Sequence, residues 1–255
     1  KAKAVSEARA LLKEGVAALI GPMTSDMAVN VVPIMNRAKV VCVSPTATSE
    51  ALSGKDDYFF RVTGATKGFA EATANYQLRT KRMNRVAAAL DLSNRNYTEH
   101  WLRNFDMALA KGGGEVIARV AFRSGPGISF ADLAGELLAA KPDGLVLVCN
   151  VVDSSLLCQQ IRKINETIPI TVSYWGGQDR LLELGGRAVE GVTVLQTFER
   201  DKQTSRQKEF KKACLKRFGK DPGFAGVYGF DAANLVMDAL ARQEAGESLK
   251  ETISR

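Results

Sequence analysis

Only one histidine, His100, occurs in 255 residues. It stands beside Glu99 in a helical pattern and reads as a surface residue, so a catalytic triad or a histidine-based metal centre has almost nothing to be built from. The four cysteines, Cys42, Cys149, Cys158 and Cys214, form no CxxC pair. Cys42 and Cys149 lie in apolar strand patterns, where free cysteine behaves as a small hydrophobe, and no zinc site or disulfide is indicated by the spacing. Neither GxGxxG nor GxxxxGK[ST] is present. Gly112-Gly113-Gly114 ends a helical pattern rather than following a strand, so it is no phosphate loop. These absences speak against an enzyme of Rossmann or flavodoxin-like type, and no cofactor or metal is expected. No apolar run approaches the ~20 residues of a membrane span. With no secretory signal at its start, the chain reads as cytoplasmic or as a mature or trimmed protein.

What is present is an ordinary globular composition, 45% hydrophobic and 25% charged, with a formal net charge of +7. The length suits one large or two small domains. Lysine and arginine are spread along helical patterns. The densest run, 206–220, is interrupted by Glu209, Phe210, Cys214 and Phe218 and reads as a solvated amphipathic face, so no nucleic-acid partner is expected.

Strand and helix patterns alternate. Apolar strands are predicted at 16–20, 40–43, 58–62, 86–90, 115–122, 144–149, 168–172 and 192–196. Helical spacing fills 3–14, 25–37, 67–78, 98–109, 130–140 and 153–164, a short helix 181–184, and three C-terminal patterns from about 203 onward. The fold class is therefore α/β with parallel, doubly wound sheets. A basic, hinge-like segment at 79–85 and a return near 197–201 divide the chain into two lobes. Residues 1–82 with 199–255 form lobe one, and 83–198 form lobe two, with the last helices packing back on lobe one.

Two strands of lobe one end in hydroxyl-rich turns. Val16–Ile20 runs into Gly21-Pro22-Met23-Thr24-Ser25, and Val40–Val43 runs into Ser44-Pro45-Thr46-Ala47-Thr48-Ser49. Open α/β sheets bind ligands outside the carboxyl ends of their strands. Thr24, Ser25, Thr46 and Thr48 would share one rim, where hydroxyls and helix N-termini suit a carboxylate better than a covalent reaction. The competing reading is that these hydroxyls cap helices, Ser25 foremost. Three residues of lobe two carry similar pairs of readings. Tyr97 belongs to a pocket or the core, Trp175 to a pocket or hinge packing, and Asp153 to a site or the N-cap of its helix.

The turns just quoted, with Tyr58-Phe59-Phe60-Arg61-Val62, Tyr97, Gly185-Gly186, Glu190-Gly191-Val192 and Tyr228-Gly229-Phe230-Asp231-Ala232, resemble type I periplasmic binding proteins of the branched-chain amino-acid class. The resemblance runs through nearly the whole chain. It implies a two-lobed clamp without catalysis, periplasmic or extracellular, delivering a small solute such as an amino acid to the membrane permease of an ABC transporter. A sensory receptor domain with the same fold is the alternative. In the family, a serine of the first turn and a threonine of the second hold the ligand's α-carboxylate. They are matched here by Ser25 and Thr48, with the backbone at Met23 and Thr46 and with Thr24 and Ala47 in the same two turns. A tyrosine matched by Tyr97 closes over the ligand. The family's ammonium-binding glutamate falls at Gln178, within Trp175-Gly176-Gly177-Gln178-Asp179, where Asp153 or Asp179 would have to replace it. The family's first strand, first helix and second strand, and its terminal strands, have no counterpart in this sequence.

Overall fold

The computed structural model describes residues 1–196 and 204–255. The chain opens with α1 (Ala2–Lys13), β1 (Ala18–Ile20), α2 (Ser25–Ala38), β2 (Val41–Ser44) and β3 (Phe59–Arg61). Next come α3 (Thr66–Tyr76), β4 (Arg85–Asp91), α4 (Arg95–Lys111), β5 (Glu115–Phe122), α5 (Phe130–Ala139) and β6 (Gly144–Val148). They are followed by α6 (Val151–Ile164), β7 (Ile170–Val172), α7 (Arg180–Gly185) and β8 (Thr193–Val194). Helices α8 (Ser205–Phe218), α9 (Gly223–Arg242) and α10 (Leu249–Ser254) complete it. The packing divides the described chain into residues 1–65 with 204–255, and residues 66–196.

The first unit holds a parallel sheet in the order β1-β2-β3. Side chains alternate across a strand, and β2 shows what that does here. Cys42 faces a core built with Ala28, Val31, Val32 and Met35 of α2 and Ala8 of α1. Val41 and Val43 face the opposite side, against Ala232 and Val236 of α9. The sheet is therefore covered by helices on both faces, which is why β2 is buried throughout.

The second unit holds five parallel strands in the order β5-β4-β6-β7-β8. Strand β6, Gly144–Val148, is buried at every position, as a central parallel strand with helices on both faces must be. Leu145 and Leu147 point to Leu157, Cys158 and Ile161 of α6 and Ala134 and Leu137 of α5. Helix α4 lies on the other face of β4, β5 and β6, with Trp101 and Phe105 stacked at 5.2 Å between ring centroids. All four cysteines are free, and burial pushes the Cys42 and Cys158 thiols up to about 12.

The lobe boundary expected at 79–85 lies inside the second unit. Helix α3 packs along α4, and a π-helical turn, Gln77–Lys81, carries it directly into β4. Gln77 and Met83 are both buried within that unit, so the change of unit falls near residue 65. The second crossing, expected near 197–201, lies outside the described residues.

Candidate functional site

In the first unit the register of β1 and β2 sets Leu19 opposite Cys42 and Ile20 opposite Val43, so the two hydroxyl-rich turns leave the sheet side by side. They are bound to each other. Gly21 N–H donates to Val43 O at 2.8 Å. Ser44 Oγ donates to Pro22 O at 2.6 Å and accepts from Ala47 N–H at 3.0 Å. Thr46 Oγ1 donates to Met23 O. The structure thus brings Met23, Thr24, Ser25, Thr46, Ala47 and Thr48 onto one rim.

The caps differ from the sequence expectation. Thr24, not Ser25, caps α2, its Oγ1 accepting from Met27 N–H at 3.4 Å. Ser49 caps the 3-10 turn Glu50–Leu52. Ser25 lies one residue inside the helix, 2% exposed, and its Oγ accepts from the backbone N–H groups of Thr48 and Ser49, each at 3.2 Å. A hydroxyl has two lone pairs and one proton. With both lone pairs engaged, Ser25 can act only as a donor, at the positive end of a helix dipole. Asp26, beside it in the first turn of α2, pairs with Lys1 at 2.6 Å.

In the second unit β4 stands between β5 and β6, so the chain reverses its direction of winding at the carboxyl end of β4. That switch point is where doubly wound sheets take ligands. Asp91 ends β4 and is fully buried. Its carboxylate accepts from Ser93 N–H at 2.8 Å and Ser124 N–H at 3.0 Å. Asn150 follows β6 and caps α6, its Oδ1 accepting from Val152 and Asp153 N–H. Asp153 is therefore the third residue of α6 and not its cap. Asn150 Nδ2 donates to Asp153 Oδ2 at 2.7 Å and to Ser124 Oγ at 3.2 Å. Asp91, Ser124, Asn150 and Asp153 form one connected polar cluster.

Burial raises the Asp153 carboxyl above its ordinary value. Hydrogen bonds from Ser124 and Asn150 oppose the shift, and Asp91 adds to it. The native state therefore holds this proton at pH values where the unfolded chain has released it, and stability falls as pH rises through that interval. Asp153→Asn should flatten this loss in urea titrations run upward from about pH 4, the ordinary aspartate value. A variant whose stability falls as steeply as that of the wild type would show that Asp153 does not carry the effect.

Helix α4 begins at Arg95, earlier than expected, so Tyr97 lies in its first turn instead of the preceding loop. Its ring is 2% exposed and meets Tyr174 and Trp175 edge-on, at 5.6 and 5.7 Å. Its hydroxyl and Ser173 Oγ are both buried and lie next to each other, with the Trp175 backbone alongside. Gln178 turns back on its own loop, Nε2 donating to Trp175 O at 2.8 Å. Reading the sequence for hydroxyl turns missed Asp91, Ser124 and Asn150. A strand ending in aspartate and an Asn-x-x-Asp helix start were their available signals.

A model of the family described as periplasmic binding protein matches residues 1–254. Among solved structures, a leucine binding protein, LivK, from Thermotoga maritima is 27% identical with a TM-score of 0.88, over 99% of this chain and 71% of that one. The branched-chain amino acid transporter substrate binding protein LivJ of Streptococcus pneumoniae, in complex with isoleucine, is 20% identical with a TM-score of 0.84, over 99% and 72%. A solute binding protein of an ABC transporter from R. palustris, in complex with benzoate, is 19% identical with a TM-score of 0.87, over 99% and 70%. No curated protein matches at a significant level. No helix among the described residues is long and apolar enough to cross a membrane. By the family match over nearly its whole length, and by its two parallel-sheet units, the chain belongs to the periplasmic binding protein family.

Proposed function

We propose that this chain is an extracytoplasmic solute-binding protein that captures a small carboxylate-bearing ligand, an amino acid or related compound, for uptake through the membrane permease of an ABC transporter, and releases it unchanged. The observation that carries the reading is Ser25, whose oxygen accepts two backbone N–H groups and whose proton is left to donate. A donor held at a helix N-terminus selects an anion. Isoleucine and benzoate, the ligands of two solved neighbours, share a carboxylate and not an ammonium. In this chain the amide of Gln178 stands where the resemblance calls for a carboxylate, so the carboxylate is the better-supported half of the ligand. Met23, Thr24, Ser25, Thr46, Ala47 and Thr48 are the proposed contacts of the first unit, and Tyr97, Asp153, Trp175 and Gln178 those of the second.

A thermal-shift screen of amino acids and aromatic acids, each run beside its primary amide, tests this. A ligand at a hundred times its Kd stabilises the native state by about 2.7 kcal/mol, so the acid should raise the melting temperature and the amide should not. Equal shifts from acid and amide would remove the carboxylate from the proposal.

A further inference from the structure

The basic segment 79–85 plays no part in the sites above. Its ends are fixed by buried residues. Gln77 is fully buried and Met83 is 1% exposed, and Met83 fits against Gly144, where a Cβ would come within 2.0 Å of its Cε. Between these anchors Arg79, Lys81 and Arg82 are turned to solvent, with Arg85 just beyond. Arg79 also lines a surface cavity of about 530 Å³ with Glu71, Asn75, Asn84 and Lys111 over an apolar floor at Leu78. Leu78 reaches its place because residue 112 is glycine, since a Cβ there would lie 2.3 Å from Leu78 Cδ1. Asn84 immediately precedes β4, so the cavity sits at the amino end of that strand, away from Asp91.

The acidic neighbours are engaged elsewhere. Glu71 lies 4.0 Å from Lys67, and Glu115 pairs with Arg85 at 3.6 Å. Asp143 accepts from the backbone N–H groups of Asn84 and Arg85. Among the described residues, the side chains of Arg79, Lys81, Arg82 and Lys111 carry no ion pair or hydrogen bond. Three unpaired cations on an anchored turn, with Lys111 of α4 beside it, hold positive potential in one place without a partner among the described residues.

We propose that this groove docks an acidic segment of a partner protein. The cations extend along the turn beyond the cavity, so the complementary anion is longer than a small solute and carries several carboxylates. The arginines suit carboxylates through paired N–H donors, and Asn75 and Asn84 add neutral polar groups beside them. Exposed pairs of this kind govern association rate and selectivity more than affinity, and they are screened by salt.

The test uses the full chain and a fluorescein-labelled peptide of alternating glutamate and glycine, followed by anisotropy at low ionic strength. The peptide should bind, and the affinity should fall as salt is added. Arg79→Glu with Lys111→Glu should weaken it by about tenfold, as expected for losing two exposed charge pairs. Lys208→Glu with Lys212→Glu on α8 changes net charge equally and should leave binding within about twofold, since those residues lie outside the groove. A glutamine-for-glutamate peptide should not bind. Equal losses in the two variants would reduce the effect to net charge and overturn the proposal. So would failure of the peptide to bind, or capture of the protein by phosphatidylglycerol vesicles in place of the peptide.

Discussion

Thr48→Ala should weaken binding of the carboxylate ligand by ~10- to 150-fold, because a hydrogen bond to a charged group is worth ~1.5–3 kcal/mol and each 1.4 kcal/mol is tenfold. Its fold should be little disturbed. The link between Thr48 and Ser25 runs through the Thr48 backbone N–H, which alanine keeps, and Thr48 caps no helix. A stability loss of ~1–2 kcal/mol is expected for a fully buried hydroxyl and methyl. Ser25→Ala should behave differently. It removes the proposed donor and also the acceptor shared by the Thr48 and Ser49 N–H groups. Both buried donors would lose this acceptor at ~1–3 kcal/mol each, so this variant should lose ~2–6 kcal/mol of stability together with its affinity. The primary amide of the ligand separates the two effects. It should bind weakly to the wild type and lose little more in Thr48→Ala, and calorimetry on the four combinations measures the coupling. If Thr48→Ala keeps full affinity for the acid, the anion is held elsewhere.

The sequence carried the architecture because this architecture is built from local signals. Short apolar runs such as Leu145–Val148 and helical spacing such as Ala28, Val31, Val32 and Met35 need only their own period to be recognised, and the alternation of the two implies parallel sheets with covered faces. The unit boundary was not legible in this way. A run of arginine and lysine at 79–85 looks like a linker, yet the segment is pinned by Gln77, Met83 and the fit of Leu78 against Gly112. Those are contacts between residues far apart in sequence, and no local period announces them.

The site divided along the same line. The turns 21–25 and 44–49 were visible because hydroxyls after strands have a known meaning. The role of each hydroxyl was not visible, since it depends on which N–H the fold brings to it. Thr24 takes the cap of α2, Ser49 takes a cap of its own, and Ser25 is left to bridge two turns more than twenty positions apart in sequence. Asp91 and Asn150 meet through Ser124 only because β4 lies between β5 and β6 in space.

The turn after β7 is the second place where a single change should have a large effect. Gly176→Ala would place a Cβ 2.3 Å from Ser154 Oγ, 2.7 Å from Val172 Cγ1 and 2.9 Å from the carbonyl oxygen of Cys149. None of these can move aside at little cost. Val172 ends a buried strand, the Cys149 carbonyl belongs to the backbone just after β6, and Ser154 is buried in α6, in contact with Cys149. Overpacking of this kind costs ~1–3 kcal/mol. For a chain of this size that corresponds to roughly 2–4 °C of melting temperature per kcal/mol, about 2–12 °C in all. The turn must shift to relieve the contact, and it carries Trp175 and Gln178 with it, so ligand affinity should fall along with stability. Gly135→Ala supplies the contrast. Gly135 lies on the exposed face of α5 with nothing within 4 Å of its Cβ position, and alanine there should stabilise by ~0.5–1 kcal/mol. Differential scanning calorimetry with and without ligand measures both variants. Gly176→Ala melting with the wild type would mean that the turn is looser than its contacts require, and Trp175 would then lose its claim to a fixed place in the site.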